Sequence, residues 1–502
     1  MVLREGSRHN IRTFLDTRCA ARAGHTFLWF RGQSWSYEEL GRITDGAAAA
    51  FSRLGLTRGD RVAVLLRNGP DLIFSWLALA KLGVVTAPLH VDFTPEEVSQ
   101  MLRFLEPKAY IRDAAIAGSI ASSPESCNIN LERTAGLAEV LSSRETLTGV
   151  ESPKPEDPAD ILLTSGTTGK PKGVIQSHRT YTITGEGFVH WLKLGEQDRL
   201  FTCLPLSHIN ARAYSTMGAL AAGASLALEE RFSASRFWNW LAESEATEVN
   251  VVGAILHILH KRAPGPADRA HKVRLVYSAL ALGQEAHLEF EERFGVRVVV
   301  GYGLSESTFG FIHPLEGERR LHSIGKLRFH PESGWNNEVR IVEEGRDVSE
   351  GEVGEVWLRN AGVFSGYFRN PEATKAALTS DGWLKTGDLV RQEAGGWYTF
   401  VARRKDVIRR RGENLAPAEV EAVLGAHPGV KEVAVVGIPS PLGEEDVAAF
   451  VVPAFPGSVS EEALRACCTT QLATFKIPVH WRFLEALPRT STERVAKHLL
   501  RL

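Results

Sequence analysis

The sequence predicts an α/β protein. Its large N-terminal domain is built of parallel-rich sheets with flanking helices plus a small antiparallel β element. A small, mobile α+β C-terminal domain follows. Three observations predict this. Helix-like and strand-like segments alternate over 9–110 and again over 161–301, as in parallel sheets with crossover helices. After about 320 the period changes to strand alternation between Gly-rich turns. Past Arg403 a third pattern begins, with helices and strands in mixed order. A chain of 502 residues is long enough for more than one domain. The limits read from these changes are 1–402 for the large domain, 403–406 for a hinge and 407–502 for the small domain.

In chain order, Ser36-Tyr-Glu-Glu39 has the spacing of a capping box and opens a helix running to Leu54. Gly59-Asp60 precedes a strand over Arg61–Leu66. The apolar stretch Leu72–Leu89 contains Ser75 and Lys81 and is broken by Leu82-Gly83, so it reads as a buried helix feeding a strand and not as a membrane span. Thr94-Pro-Glu-Glu97 is a second capping box with proline in the first turn. Residues 113–158 show no sustained period and read as a connection. Ile161–Leu163 reads as a strand leading into a glycine-rich loop, and Ser233–Arg236 starts a helix bearing Phe237, Trp238 and Trp240. Thr247–Val252, Lys272–Tyr277 and Arg297–Val300 read as strands. Glu338–Val342, Gly354–Arg359 and Gly396–Val401 alternate at strand period. The last part reads as a helix at 417–425, strands at 430–437 and 446–452, a helix at 460–472 and a basic tail.

Hydrophobic residues make up 44% and charged ones 24%, ordinary for a globular chain, and the formal net charge is −2. That balance gives no electrostatic case for nucleic-acid or membrane binding. The five cysteines, Cys19, Cys127, Cys203, Cys467 and Cys468, are scattered and lack a C-x-x-C pair. This argues against a disulfide framework or a zinc site and favours the cytoplasm. The first ten residues lack the apolar core of a signal peptide. Oligomeric state is left open.

The stretch Thr164-Ser-Gly-Thr-Thr-Gly-Lys-Pro-Lys-Gly173 carries the chemistry. Its glycines let backbone approach a ligand closely. The hydroxyls of Thr164, Ser165, Thr167 and Thr168 can donate to anionic oxygens, and so can the backbone N–H groups around Gly166 and Gly169. Lys170 and Lys172 add point charges suited to phosphate. The loop is built to wrap a polyphosphate. It is not a Walker A loop, because Lys170 is followed by proline.

This loop resembles the phosphate loop of the AMP-forming adenylating enzymes, the superfamily of acyl-CoA synthetases, standalone adenylation domains and luciferases. Further motifs of that superfamily follow in order. Leu204-Pro-Leu-Ser-His208 resembles its substrate-gate motif, and Gly301-Tyr-Gly-Leu-Ser-Glu306 its adenine and metal motif. The resemblance implies that Glu306 binds Mg²⁺, Ser305 contacts phosphate and Tyr302 stacks on adenine beside Gly303. Gly382-Trp-Leu-Lys-Thr-Gly-Asp388 resembles the ribose motif, with Asp388 accepting from the ribose hydroxyls. Arg403 matches the arginine that contacts the nucleotide, and Asp406 the residue about which the small domain rotates. Arg409–Pro417 resembles the loop that meets the second substrate, which puts Arg411, Gly412 and Glu413 on the acceptor side. His208-Ile-Asn-Ala-Arg212 and Arg409–Pro417 resemble the carnitine/crotonobetaine-CoA ligase-like subgroup.

Two stretches depart from the family pattern. The adenine-side turn reads Tyr277-Ser-Ala-Leu-Ala281, without glycine or proline, so Ser278 and Ala279 take that role. The C-terminal run reads Pro488-Arg-Thr-Ser-Thr-Glu-Arg494-Val-Ala-Lys497, where the family has glycine and then a lysine that stabilises charge during adenylation. Arg494 occupies the lysine position and Lys497 is the other candidate. Substrate-pocket candidates are Asn210, Arg212, Val251, Gly253 and Thr308, with Arg212 placed to face an anion.

The resemblance implies an ATP- and Mg²⁺-dependent, adenylate-forming ligase. It activates a small acid, most readily a carboxylate, and passes it to coenzyme A. Two other readings stay open. One keeps adenylation but activates another oxyanion, such as nitrite for diazotising an aromatic amine, or loads a carrier protein. The other is an inert nucleotide-binding homologue.

Overall fold

The computed structural model describes residues 9–116, 118, 124–164, 172–279, 282–330, 337–410, 413–440, 444–489 and 495–502, with the side chains of Thr164, Glu413 and Asn414 excepted. By packing, the chain forms two compact units. The first comprises 1–339 and 358–384, the second 340–357 and 385–502. This division assigns most of one antiparallel sheet to the second unit, whereas the sequence reading separates the domains at 403–406. Packing and motion are different criteria, and a hinge concerns motion.

Among the described residues the first unit holds a nine-stranded sheet. Its central strands, Ser225–Leu228, Arg199–Thr202, Glu248–Val251, Leu275–Ser278 and Arg297–Tyr302, are all parallel. Their carboxyl ends therefore lie on one edge, the edge where open α/β sheets bind ligands. A seven-stranded sheet runs in the order Gly366–Tyr367, Lys172–Ser177, Pro158–Thr164, Val85–Pro88, Arg61–Leu65, Ala109–Arg112, Ile129–Glu132. Its strands Pro158–Thr164 and Lys172–Ser177 are antiparallel, with Thr164 opposite Lys172, so the glycine-rich loop joins the two arms of a hairpin.

Local signals explain most elements. The Ser36 hydroxyl accepts from Glu39 N at 3.1 Å while the Glu39 carboxylate accepts from Ser36 N at 2.7 Å, opening the helix Tyr37–Arg53. Thr94 and Glu97 do the same for Pro95–Leu105. The apolar stretch from Leu72 becomes the helix Pro70–Lys81 and the strand Val85–Pro88. That helix is buried nearly all round, which its apolar circumference requires. Its one ammonium, Lys81, is buried and lies 2.6 Å from both Asp16 and Asp45. No described helix is long and apolar enough to cross a membrane. The described residues of 113–158 form a partly ordered connection with short elements of its own. Ile129–Glu132 is an edge strand parallel to Ala109–Arg112, and a π-helical turn leads into the helix Ala138–Ser142. Ile129-Asn-Leu-Glu132 alternates apolar and polar over only four residues, the shortest run that signals a strand.

The second unit carries most of a five-stranded sheet, ordered Arg346–Asp347, Glu338–Glu343, Val353–Arg359, Leu384–Glu393, Trp397–Arg403. After it come the ribbon Ile408–Arg410 with Glu413–Leu415 and a three-stranded sheet of Val430–Pro439, Glu445–Pro453 and His480–Phe483. The helices Pro417–Gly425 and Glu461–Gln471 bury Val420, Leu424, Leu464 and Cys468 with Val435, Val447 and Val451 of that sheet.

Two core histidines make stability pH-dependent. Burial pushes the His178 imidazole down to about 4, with Asp157 opposing, and burial likewise pushes His313 down to about 4. Both are neutral when folded, while the unfolded chain takes up their protons below about 6.5. Stability is therefore complete above that pH and falls as pH drops from about 6.5 to 4, by about 3 kcal/mol for each histidine. The melting midpoint should fall steadily over this window and fall less in His178→Asn. A midpoint that stays flat from pH 7 to 4.5 would contradict the assignment.

Candidate active site

The strand Arg297–Tyr302 runs out at the carboxyl edge of the nine-stranded sheet into a tight turn, Leu304 N donating to the Ser307 carbonyl at 2.8 Å. The chain then returns as Phe311–Ile312, which pairs Tyr302 with Phe311 and sets their rings 5.6 Å apart. Gly303 is needed here, because a Cβ would lie 2.9 Å from the Tyr214 hydroxyl. Glu306 is half-buried on this turn. The Tyr367 hydroxyl donates to Glu306 Oε1 at 2.8 Å, and Phe364 N donates to the Glu306 carbonyl at 2.8 Å. The Gln176 amide donates to the carbonyl of Ser305. Lys172, at the exit of the loop, holds its ammonium 5.0 Å from the centroid of the Tyr367 ring. Burial first, and then the Glu306 carboxylate, raise the Tyr367 hydroxyl well above the ordinary phenol range, so it stays a donor. Of the loop itself, Thr164 and Lys172 are placed by the hairpin register. Ser165, Gly166, Thr167, Thr168, Gly169 and Lys170 lie outside the described residues.

Ser278 ends its strand directly opposite Val251, with Ala279 next in the chain. Gly253 opens the helix Gly253–His260 just beyond. From the neighbouring strand Arg199–Thr202 the chain enters Leu204–His208, which is clamped by Asn68. The Asn68 amide donates to the carbonyls of Leu204 at 2.8 Å and Glu229 at 3.2 Å, and its oxygen accepts from Leu206 N at 2.9 Å. His208 is half-buried, its ring 5.7 Å from that of His90. Asn210 opens a π-helical segment, Asn210–Thr216, a form often met at functional sites. The Ser207 hydroxyl and the Asn210 side-chain amide oxygen are buried without a partner among the described residues. Buried polar atoms of that kind call for a partner that the described residues do not supply.

Two pocket candidates have other employment. Arg212 is not placed to face an anion. It is fully buried, its guanidinium 2.8 Å from the Asp160 carboxylate and 4.6 Å from the centroid of the Trp76 ring, and it donates to the Leu206 carbonyl. Asp160 meets its charge, Nη2 has no partner among the described residues, and the pair ties the strand leading to the glycine-rich loop to the π-helical segment. Thr308 is also fully buried. Its hydroxyl is 2.6 Å from that of Thr184, and its carbonyl accepts from Tyr214 at 2.7 Å and Arg328 at 3.2 Å. Thr308 therefore holds the backbone of the turn.

In the second unit, Asp388 and Arg403 are cross-strand partners, Arg403 Nε lying 3.1 Å from Asp388 Oδ1. Asp388 N donates to the Thr386 hydroxyl at 3.1 Å, and Gly387 N to the Glu355 carboxylate at 2.8 Å. The sheet thus fixes this carboxylate and guanidinium side by side. Asp406 ends the 3₁₀ turn Arg404–Asp406, while Arg404 is held by Glu343 and, at 3.7 Å, by Glu355. Glu413 begins a strand opposite Arg410. Lys497 Nζ lies 2.6 Å from Glu421 Oε1. Arg411, Gly412 and Arg494 are outside the described residues.

The chain matches the AMP-binding enzyme family over residues 15–368 and the AMP-binding enzyme C-terminal domain over 419–494. It belongs to the AMP-binding enzyme family. It is 31% identical to a crotonobetaine/carnitine–CoA ligase of Salmonella agona (strain SL483), covering 98% of this chain and 99% of that one. Among solved structures it is similar to ATP-bound MatB from Rhodopseudomonas palustris, with a TM-score of 0.87, 27% identity and 98% of each chain covered. It is also similar to the o-succinylbenzoate coenzyme A synthetase MenE of Bacillus subtilis in complex with ATP and magnesium ion. That TM-score is 0.84, with 26% identity and 97% and 98% covered. The chain is thus an AMP-forming ligase of the acyl-CoA synthetase type.

A magnesium ion fits Glu306 in this family member. Mg²⁺ takes oxygen donors and is bound through one or two carboxylates plus substrate phosphates. One Glu306 oxygen is fixed by Tyr367, and the other accepts no hydrogen bond among the described residues. Sequence reasoning missed Tyr367, Gln176 and Asn68, all of which act on site segments remote in the chain. Tyr367 carried a weak signal, because Phe364, Tyr367 and Phe368 cluster around Gly366.

Proposed function

We propose that this ligase activates a small carboxylic acid as its acyl-adenylate and transfers the acyl group to coenzyme A. The reading rests on Glu306, fixed at the carboxyl edge of the sheet beside the exit of a loop rich in hydroxyls and lysines. The full-length likeness to a CoA ligase supports it. In the first step a carboxylate oxygen attacks the α-phosphorus of ATP, the α–β phosphoanhydride bond breaks and pyrophosphate leaves. The hydroxyls of Thr164, Ser165, Thr167 and Thr168, the backbone about Gly166 and Gly169, and Lys170 and Lys172 hold the phosphates. Ser305 joins them. Mg²⁺ at Glu306 supplies charge neutralisation at the phosphate oxygens when bound. Ser278, Ala279, Tyr302 and Gly303 take the adenine, and Asp388 with Arg403 the ribose. His208 gates a pocket walled by Asn210, Val251 and Gly253. Catalysis of this kind is mostly positioning and electrostatics.

In the second step the CoA thiol, losing its proton, attacks the acyl carbonyl and AMP leaves. The small domain turns about Asp406 between the steps and brings Arg411, Gly412 and Glu413 to the acceptor. The test is pyrophosphate and thioester formation over a panel of small acids that includes crotonobetaine, carnitine and o-succinylbenzoate, with and without CoA. Thioester and AMP should accumulate only with CoA present. Asp406→Pro fixes φ near −65° and should slow thioester formation at least about tenfold more than adenylate formation. Equal loss of both steps would remove the hinge, and substrate consumption indifferent to CoA would remove the acceptor.

A further inference from the structure

We infer that Tyr367 is a positioning residue for the metal, holding the Glu306 carboxylate in the one orientation that presents its free oxygen to a divalent cation. This rests on the reading of Glu306 given above. Glu306 sits half-buried on a turn, where an unrestrained glutamate samples many rotamers. Its Oε1 accepts from the Tyr367 hydroxyl at 2.8 Å, which leaves Oε2 as the ligand oxygen.

Tyr367 is itself immobilised on several sides. Its backbone pairs with Val174, its N–H donates to the Thr374 hydroxyl at 2.9 Å, and its ring packs edge-on to Phe364 at 4.8 Å. The segment around it is a strap across two site elements. Phe364 N donates to the Glu306 carbonyl at 2.8 Å, Ser365 N to the Ile175 carbonyl at 3.0 Å, and Phe368 N to the Gly173 carbonyl at 2.7 Å. The strap therefore ties the Glu306 turn to the strand that leaves the phosphate loop. Lys172 lies on that strand with its ammonium against the Tyr367 ring. One side chain thus touches the carboxylate through its hydroxyl and a loop cation through its ring, fixing the spacing between them. Outer partners of metal ligands act in this way, and their loss costs about 10–100-fold in metal affinity.

Tyr367→Phe removes the hydroxyl and keeps the ring contacts. Mn²⁺ binding to the protein with a non-hydrolysable ATP analogue, followed by electron paramagnetic resonance, should weaken at least about tenfold. The Mg²⁺ concentration for half-maximal ATP–pyrophosphate exchange should rise in parallel. The melting midpoint should stay close to the parent's and excess Mg²⁺ should restore the lost exchange, a combination with weakened Mn²⁺ binding that a merely structural tyrosine would not give. Unchanged Mn²⁺ binding overturns the inference, and so does a loss of exchange that excess Mg²⁺ does not restore. Glu306→Gln separates the two levels. If it binds Mn²⁺ like the parent, the metal reading of Glu306 fails and takes this inference with it. If it loses Mn²⁺ while Tyr367→Phe keeps it, only the role of Tyr367 is wrong.

Discussion

Glu306→Gln should abolish most ATP–pyrophosphate exchange, by about 10²–10³-fold, the scale of one removed transition-state donor. Glutamine has nearly the same shape, and its carbonyl can still accept from the Tyr367 hydroxyl, so the turn should fold unchanged. What is lost is the negative charge and the anionic oxygen that a hard cation requires. The half-buried position on a turn makes a folding defect a poor explanation for inactivity, and the melting midpoint checks that directly. Near-normal exchange at limiting Mg²⁺ would falsify the assignment and return Glu306 to the role of a turn residue.

Arg494→Ala should slow single-turnover adenylation by about 10²-fold or more, while Lys497→Ala should slow it only a few-fold. Charge develops on the α-phosphoryl group during attack, and a cation there need not titrate, so arginine can serve where the family has lysine. Lys497 is less available for the role. Its ammonium lies 2.6 Å from Glu421, whose carboxylate also accepts from Val435 N at 2.8 Å. Removing Lys497 should therefore cost some stability, within the 0–1 kcal/mol typical of a partly exposed pair. A large loss in Lys497→Ala alone would reverse the assignment. If neither variant loses more than a few-fold, the cation comes from another part of the chain.

The sequence by itself determined the class of fold. Capping boxes at Ser36 and Thr94 act within four residues and are realised as read. Apolar runs such as Arg297–Tyr302 become buried parallel strands because few other elements accept such a run. The glycine, hydroxyl and lysine content of 164–173 carries the proposal of a phosphate-binding loop from residue types alone. Only the tertiary structure decided which polar side chains are free to meet a ligand. Arg212 reads as an anion receptor until Asp160, 52 positions away in the chain, is found against it. Tyr367 acquires its part only because it meets Glu306, 61 positions away, and Asn68 because it clamps Leu204, 136 positions away. The physical reason is range. Periodicity, caps and turns are set by neighbours a few residues apart and are written in local sequence. The partner that neutralises or orients a buried polar group is set by how strands far apart in the chain come to lie side by side. A single sequence carries no local mark of that pairing.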